Sequence, residues 1–505
     1  MANSCLEIMS RTETKEQNKM DIQHINTLGK LKESGYNSKS VKDELRYNLI
    51  DNIKNNINSF EGVIGYENSV IPQVERAILS KHNINLLGLR GQAKTMIARK
   101  MVDLLDEYIP VVKGSEINDD PLHPISRFAQ KQIKEYGDET PIDWLHREDR
   151  FAEKLATPDV SVADLIGDID PIKAANLKLS YADDRVIHFG MIPRANRCIF
   201  VINELPDLQA RIQVALFNIL QEGDLQIRGF KFRFPMEIQF VFTANPEDYT
   251  NRGSIVTPLK DRIGSQILTH YPKTVQIARE ITQQEVELSE QQKHIKVPEI
   301  AQLLLEQISF EARKSEYIDV KSGVSARLSI SAYENLVSTA ERRAMINDEK
   351  STQIRLADFG GILPAITGKI ELLYEGEQAG VELVAQGLIE NAIKTLYQTY
   401  FPEIKKLEKE DEDKPHDAIV RWFAENKGIE ILDDSPDSLY KEELSKIKPL
   451  KVFVNKYIEG ASENDQYFYM ELVLWALTIH KKLSKHRFDK GSQFEDLFGD
   501  FIKGL

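Results

Sequence analysis

The octet Gly88-Leu89-Arg90-Gly91-Gln92-Ala93-Lys94-Thr95 sets two glycines, a lysine and a hydroxyl residue between a compact apolar run (84–87) and a helical pattern (96–105). Strand, glycine-rich turn and helix N-terminus in that order make a cradle for phosphates. Backbone N–H groups and the positive end of the helix dipole favour a polyphosphate there. Lys94 is spaced to reach the β- and γ-phosphates, and the Thr95 hydroxyl to bind Mg²⁺. The spacing is G-x-x-x-x-G-K-[ST] with Ala93 in place of the second glycine. Alanine suits a helix start but resists a positive φ.

Two further groups complete a candidate site. Residues 199–202 are four large apolar side chains in a row, ending in Asn203-Glu204. Such a run suits a parallel strand buried on both faces, which delivers its last residues to the carboxyl edge of the sheet, where ligands bind. In a phosphate-loop ATPase that edge carries Asp-Glu, the Asp for the Mg²⁺ shell and the Glu for the attacking water. Asn203 can still accept a hydrogen bond from a metal-bound water, but adds no negative charge, so Mg²⁺ is expected to be held less strongly. Glu204 occupies the water-activating position; the plainer reading is a capping or surface carboxylate. A second buried strand pattern, 238–242, ends in Thr243-Ala244-Asn245-Pro246. In a parallel sheet Asn245 falls beside Glu204, where it could hydrogen-bond the water or the γ-phosphate.

The elements that position these groups follow along the chain. Residues 1–39 are polar and charged and read as a tail or loose helix. Helical spacing begins at 40, and Gly62-Val63-Ile64-Gly65 then places an apolar pair between glycines. One helix upstream of a phosphate loop, that pair suits an adenine pocket or an ordinary turn. Residues 109–112 read as a second strand. The segment 114–157 is polar, helical over 125–136 and without apolar alternation, which predicts an insertion on the domain surface. Its His123 and His146 are isolated and are assigned no chemistry. Residues 208–220 predict an amphipathic helix, 225–234 a hairpin with a basic, aromatic tip, and 267–270 the fifth strand. Beyond 274 the pattern is mainly helical. Arg327 falls in the first turn of a helix, where a cation opposes the dipole. A charged linker (405–414) precedes a segment rich in aromatics, including Trp422, Phe423, Tyr457, Phe468, Tyr469 and Trp475.

Composition narrows the classes. A chain of 505 residues predicts about three domains. The net charge of -14 argues against a general nucleic-acid binder. Cys5 and Cys198 alone build neither a disulfide framework nor a cysteine zinc site. No apolar run approaches the roughly 18 residues that span a bilayer. The polar opening residues lack a signal core, so a cytoplasmic protein is expected.

Taken in order, these elements resemble the AAA+ ATPases, specifically the branch of the magnesium-chelatase I subunit and the MoxR-type ATPases. GLRGQAKT is similar to Walker A, CIFVINELPDL to Walker B and FVFTANPEDY to sensor 1. TPLKDRIG resembles the arginine-finger segment and SGVSARLS the sensor 2 helix. PRANRCIFVINE and VADLIGDID resemble segments of the chelatase subunit, and the likeness covers about 60–344. It implies an α/β fold: a P-loop AAA+ five-stranded parallel sheet flanked by helices over 40–273, an α-helical lid over 274–404, and a helical extension over 405–505. It implies ATP and Mg²⁺ as cofactors. Val63, Ile64 and Gly65 would contact adenine. Residues 88–95 would hold phosphates, and Thr95 with Asn203 the metal. Glu204 would polarise water, Asn245 would sense the γ-phosphate, and Arg327 would report nucleotide state to the lid. Arg262 would act on a neighbour's nucleotide, with Arg252 a second candidate, which makes hydrolysis depend on a ring, usually a hexamer.

The resemblance implies remodelling of a partner protein, with metal or cofactor insertion in the chelatase case. No metal-ion-dependent adhesion motif (D-x-S-x-S) is visible in the C-terminal part, so a partner bearing one would be a separate chain. Two other readings compete. Asn203 suits an ATP-binding regulatory scaffold with little hydrolysis. A transcription activator of the enhancer-binding type would carry a GAFTGA loop, which this sequence lacks.

Overall fold

The computed structural model describes residues 22, 24–178, 184–227, 233–246, 254–319, 321–405, 415–488 and 491–497. The chain divides into two compact units, Met1–His270 and Tyr271–Leu505.

The first unit is built on five parallel strands: β1 (Ile84–Leu87), β2 (Phe151–Leu155), β3 (Cys198–Asn203), β4 (Ile238–Ala244) and β5 (Ser265–Leu268). Their order across the sheet is β5-β1-β4-β3-β2. β1 therefore sits between β4 and β5, paired Ile84↔Val241 and Ile84↔Ser265. The apolar run of β3, and that of β4 from Phe240 to Phe242 after the buried Gln239, are explained by burial on both faces. Ile199, Val201 and Val241 join Ile84 and Leu86 in one core, while Phe200, Ile202, Phe240 and Phe242 join Ile212 and Leu259 in the other. Each such side chain contributes about 2 kcal/mol by leaving water. Helix α1 (Lys94–Lys100) follows β1, and α2 (Thr257–Arg262) precedes β5. The five-stranded parallel sheet flanked by helices is the fold class expected from the sequence.

Three expectations about this unit are corrected. The strand at 109–112 forms as Tyr108–Val112, but pairs antiparallel with Ile142–His146 in a separate hairpin. The sheet takes its remaining strand from within 114–157, so that segment is not a surface insertion throughout. β2 pairs parallel with β3 at the edge of the sheet, and its Phe-Ala-Glu-Lys-Leu is partly exposed along its length. An edge strand has one neighbour and tolerates charge, so no apolar run marks it. The 1–39 tail also packs in its second half: helix Leu28–Glu33 buries Leu28 and Leu31, and Gly29 lies against Asp138. The start of β2 is anchored by Arg150, fully buried, which donates to both oxygens of Glu44 at 2.7 and 2.8 Å.

The second unit packs α3 (Glu299–Lys314), α4 (Arg327–Ile346), α5 (Val381–Tyr400) and α6 (Glu463–Ile479) around one core. Leu304, Leu336 and Tyr397 share that core with Phe423, Phe453, Phe468 and Phe494. The 274–404 and 405–505 stretches are thus joined by common burial rather than being separate modules. The latter is also not wholly helical: Ile429–Leu432, Gly491–Glu495 and Ser484–Phe488 form an antiparallel sheet. Strands of four or five residues are too short to show a clear period. Most of the charged linker, 406–414, lies outside the described residues.

Candidate nucleotide site

β1 ends at the carboxyl edge of the sheet, and the chain turns there into the 88–95 loop. Gly88 donates its N–H to the Ala244 carbonyl at 3.0 Å, fixing the loop to the end of β4. A Cβ at Gly88 would collide with the Thr269 hydroxyl and the Gln92 carboxamide. Thr269 in turn donates to Gln92 Oε1 at 2.6 Å, so the loop is tied to the residue after β5 as well. Gly91 has φ 70°, which glycine adopts freely. Ala93 has φ 53° and ψ 19° and does adopt the left-handed conformation its side chain resists. That conformation costs about 1–2 kcal/mol for a non-glycine residue.

Lys94 is buried, and its ammonium turns back into the loop. It donates to the carbonyls of Gly88 and Leu89 and to Asn245 Oδ1, the last at 2.9 Å. Asn245 passes the contact on: its Nδ2 donates to Glu204 Oε2 at 2.8 Å. Lys94, Asn245 and Glu204 thus form one hydrogen-bonded chain across β1, β4 and β3. Glu204 leaves β3 in a left-handed conformation, φ 56° and ψ 48°. Strain of this kind collects at functional positions, where the surroundings must hold it. Here Thr243 does the holding: its hydroxyl accepts the Glu204 N–H at 3.2 Å and donates to Asn203 Oδ1 at 3.1 Å. Asn203 Oδ1 also lies 3.5 Å from the Thr95 hydroxyl.

The Val63–Ile64–Gly65 segment reaches the same loop through the next residue. Gly62 and Gly65 take φ 87° and 83°, and Val63 is buried. The Tyr66 hydroxyl donates to the carbonyls of Gln92 at 3.1 Å and His270 at 2.6 Å. Sequence reasoning assigns no role to Tyr66, Thr243 or Thr269. Thr243 precedes Ala244-Asn245 and so was close to view, but its double contact depends on strand register.

The two arginines are placed differently. Arg262 ends α2, where its guanidinium lies 5.0 Å over the Phe217 ring and donates to Gln221 Oε1 and the Pro258 carbonyl. Arg327 is exposed at the first turn of α4, in the second unit. Arg252 and the hairpin tip at 228–232 lie outside the described residues. The base of that hairpin pairs Asp224–Leu225 with Phe234–Pro235.

The residues present fit a polyphosphate: a glycine crowded by the Thr269 and Gln92 side chains, a left-handed turn, and a buried ammonium at a helix start. For a divalent cation the set is Thr95 Oγ1 and Asn203 Oδ1, two neutral oxygens. This suits Mg²⁺, which keeps most of its water and needs few protein ligands. No group of three or more His, Cys, Asp or Glu among the described residues could cage a metal.

Sheet order, the loop after β1 and the Glu204–Asn245 pair together define the class of fold, a five-stranded parallel sheet flanked by helices with a glycine-rich loop at its carboxyl edge. No protein-family model matches the sequence, and no curated protein matches it. The chain is similar to solved structures of AAA+ ATPases. One is the complex of subunits BchI and BchD of magnesium chelatase (17% identity, 63% of this chain and 98% of that chain, TM-score 0.33). Others are NtrX from Brucella abortus in complex with ATP (12%, 69% and 73%, TM-score 0.34) and Hsp104 with ATPγS and casein (12%, 61% and 48%, TM-score 0.35). In a further NtrX structure the match spans 55% of that chain. The fold class rests on the sheet order and the loop after β1. No helix among the described residues is long and apolar enough to cross a membrane.

Proposed function

We propose that the chain is an Mg²⁺-dependent ATPase that works as an oligomeric ring, a hexamer by the family resemblance, and remodels a partner protein. Metal or cofactor insertion, on a partner bearing a metal-ion-dependent adhesion module, is one form of that work. The observation that supports the reading is the hydrogen-bonded chain Lys94–Asn245–Glu204 at the carboxyl edge of the sheet. It joins a group suited to phosphate, a sensing amide and a general base. Backbone N–H groups of 88–95 and the Lys94 ammonium hold the phosphates, and the 63–65 segment borders the adenine. Thr95 and Asn203 are the residues that would hold Mg²⁺, which supplies neutralisation of phosphate charge when bound. Glu204 orients the attacking water and takes its proton. Asn245 keeps the carboxylate turned toward that water. Arg262 acts on the nucleotide of a neighbouring subunit, and Arg327 reports nucleotide state to the lid.

Glu204→Gln tests this directly. Its amide oxygen can still accept from Asn245, so nucleotide binding is expected to persist while turnover falls by about 10²–10⁴. Equal turnover in the two proteins refutes the reading.

Asn203 favours a second reading, an ATP-binding regulatory scaffold with slow hydrolysis. Its Oδ1 is engaged by Thr243 and lies near Thr95, and it brings no charge to the metal position. Asn203→Asp separates the two: a strong rise in turnover supports the scaffold, and little change supports the motor.

A further inference from the structure

Three residues before Gly88, β1 carries a polar side chain that the nucleotide site does not use. Asn85 is 1% exposed, and its Oδ1 has no hydrogen-bond partner among the described residues. A buried amide oxygen without a donor is costly, and most native structures avoid it. Asn85 lines a pocket of about 140 Å³ together with Lys260, Ile263 and Gln266. Asn85 and Gln266 are partners across β1 and β5, so the strand register itself brings them together. Lys260 and Gln266 are exposed and form the rim, while Asn85 and Ile263 are buried within it.

The chemistry of the lining is specific. At the bottom an acceptor awaits a donor, and at the rim an ammonium offers hydrogen bonds to an acceptor. Gln266 can serve as either. A carboxylate would satisfy Lys260 but set like partial charges against Asn85 Oδ1. An ammonium or guanidinium would satisfy Asn85 but be repelled by Lys260. A carboxamide has an N–H donor and a carbonyl acceptor one atom apart, and it matches Asn85 whichever way that side chain's own amide is turned. Ile263 gives the flank of a short alkyl chain an apolar surface. The geometry points to a second binding site in the first unit, a pocket for the primary amide of a free small molecule or of a glutamine-type side chain. It is separate from the phosphate loop and is set into the β1–β5 face of the sheet.

Saturation-transfer NMR on the full chain tests this with propionamide, propionate and N,N-dimethylpropionamide as probes. Propionamide is expected to bind, and the other two, which lack either the neutral acceptor or the N–H donor, are not. Asn85→Leu fills the pocket and should abolish the signal. Since that change falls in a central strand, Lys260→Ala at the exposed rim serves as a second variant that spares the fold. It is expected to weaken propionamide binding by about tenfold, the loss of one hydrogen bond to a charged group. N-acetylglutamine methylamide distinguishes the sources: binding like propionamide assigns a protein side chain, and exclusion assigns a free amide. Equal signals from all three propionyl probes, no propionamide signal in the wild type, or an unchanged signal in Lys260→Ala would each overturn the assignment.

Discussion

If Asn245 works by holding Glu204, the two residues must be energetically coupled in turnover, and the size of the coupling follows from their contact. Asn245 is 6% exposed, and its Nδ2 lies 2.8 Å from Glu204 Oε2. A hydrogen bond to an ionised group contributes about 1.5–3 kcal/mol. Expressed as rate, that is about 10- to 150-fold. Asn245→Ala is therefore expected to lower kcat by a factor in that range, because the carboxylate loses the donor that turns it. Glu204→Gln lowers kcat by about 10²–10⁴ through loss of the base itself. The informative protein is the double variant. With no base left to orient, removing Asn245 should cost less than about threefold further, leaving a coupling energy of about 1–3 kcal/mol. Steady-state ATP turnover of the four proteins, each at saturating ATP and Mg²⁺, gives the cycle. Nucleotide affinity measured separately by fluorescence titration removes effects on binding. If the double variant loses the full product of the single effects, Asn245 does not act through Glu204, and the hydrogen-bonded chain is not the catalytic unit argued above.

Three further outcomes are expected. Ala93→Gly removes a left-handed strain of about 1–2 kcal/mol but adds about 0.4–1 kcal/mol of unfolded-state freedom; a small gain in stability follows, read as a rise of a few degrees or less in the thermal transition of the first unit, and a lower midpoint contradicts the strain. Arg262→Ala and Glu204→Gln should each abolish turnover alone, yet a one-to-one mixture should recover about a quarter of it, since a random ring pairs an intact Glu204 with an intact neighbouring Arg262 at that frequency; no recovery places the finger in its own subunit. In the second unit, burial raises Glu471 from its usual 4.5 to about 7, where it accepts from Tyr440 Oη and the Leu356 N–H. Between those values the folded unit holds the proton more tightly than the unfolded chain, so this group's contribution is full below about pH 4.5 and is lost as pH rises through about 7, by about 3 kcal/mol. Glu471→Gln should flatten that part of the pH–melting profile, and an unchanged profile refutes the assignment.

The central part of the sheet was legible because burial on both faces leaves a mark that needs no partner to interpret. Residues 199–202 and 240–242 are continuous apolar runs, and each is followed at once by a polar residue of the candidate site, Asn203 and Thr243. β2 left no such mark. Its Glu153 and Lys154 are compatible with an edge and equally with a surface loop, and only pairing with β3 decides between them. The C-terminal stretch failed for a related reason. Its aromatics gave away a core, but not that the core is the one built by α3, α4 and α5. At the site, the chemistry-bearing residues were visible as types at fixed spacings, whereas Thr243 and Tyr66 act through contacts with residues 26 to 204 positions away. No local pattern encodes those.

Thr243 also changes what the Asn at 203 means. Read along the chain, Asn203 is a missing charge beside the metal position. In the fold it is one of two groups that a single hydroxyl organises, since Thr243 donates to its Oδ1 while accepting the N–H of Glu204. A carboxylate at 203 would accept the same hydrogen bond more strongly. The Asn203→Asp variant therefore changes two things: the charge offered at the proposed metal position, and the anchoring of the strained turn that carries Glu204. These can be told apart, because only the first depends on the cation. Should Asn203→Asp raise turnover while the Mg²⁺ concentration for half-maximal rate stays fixed, the gain comes from the turn. A fall in that concentration by about tenfold or more would assign it to the metal position, one added charge-assisted contact being worth at least that much.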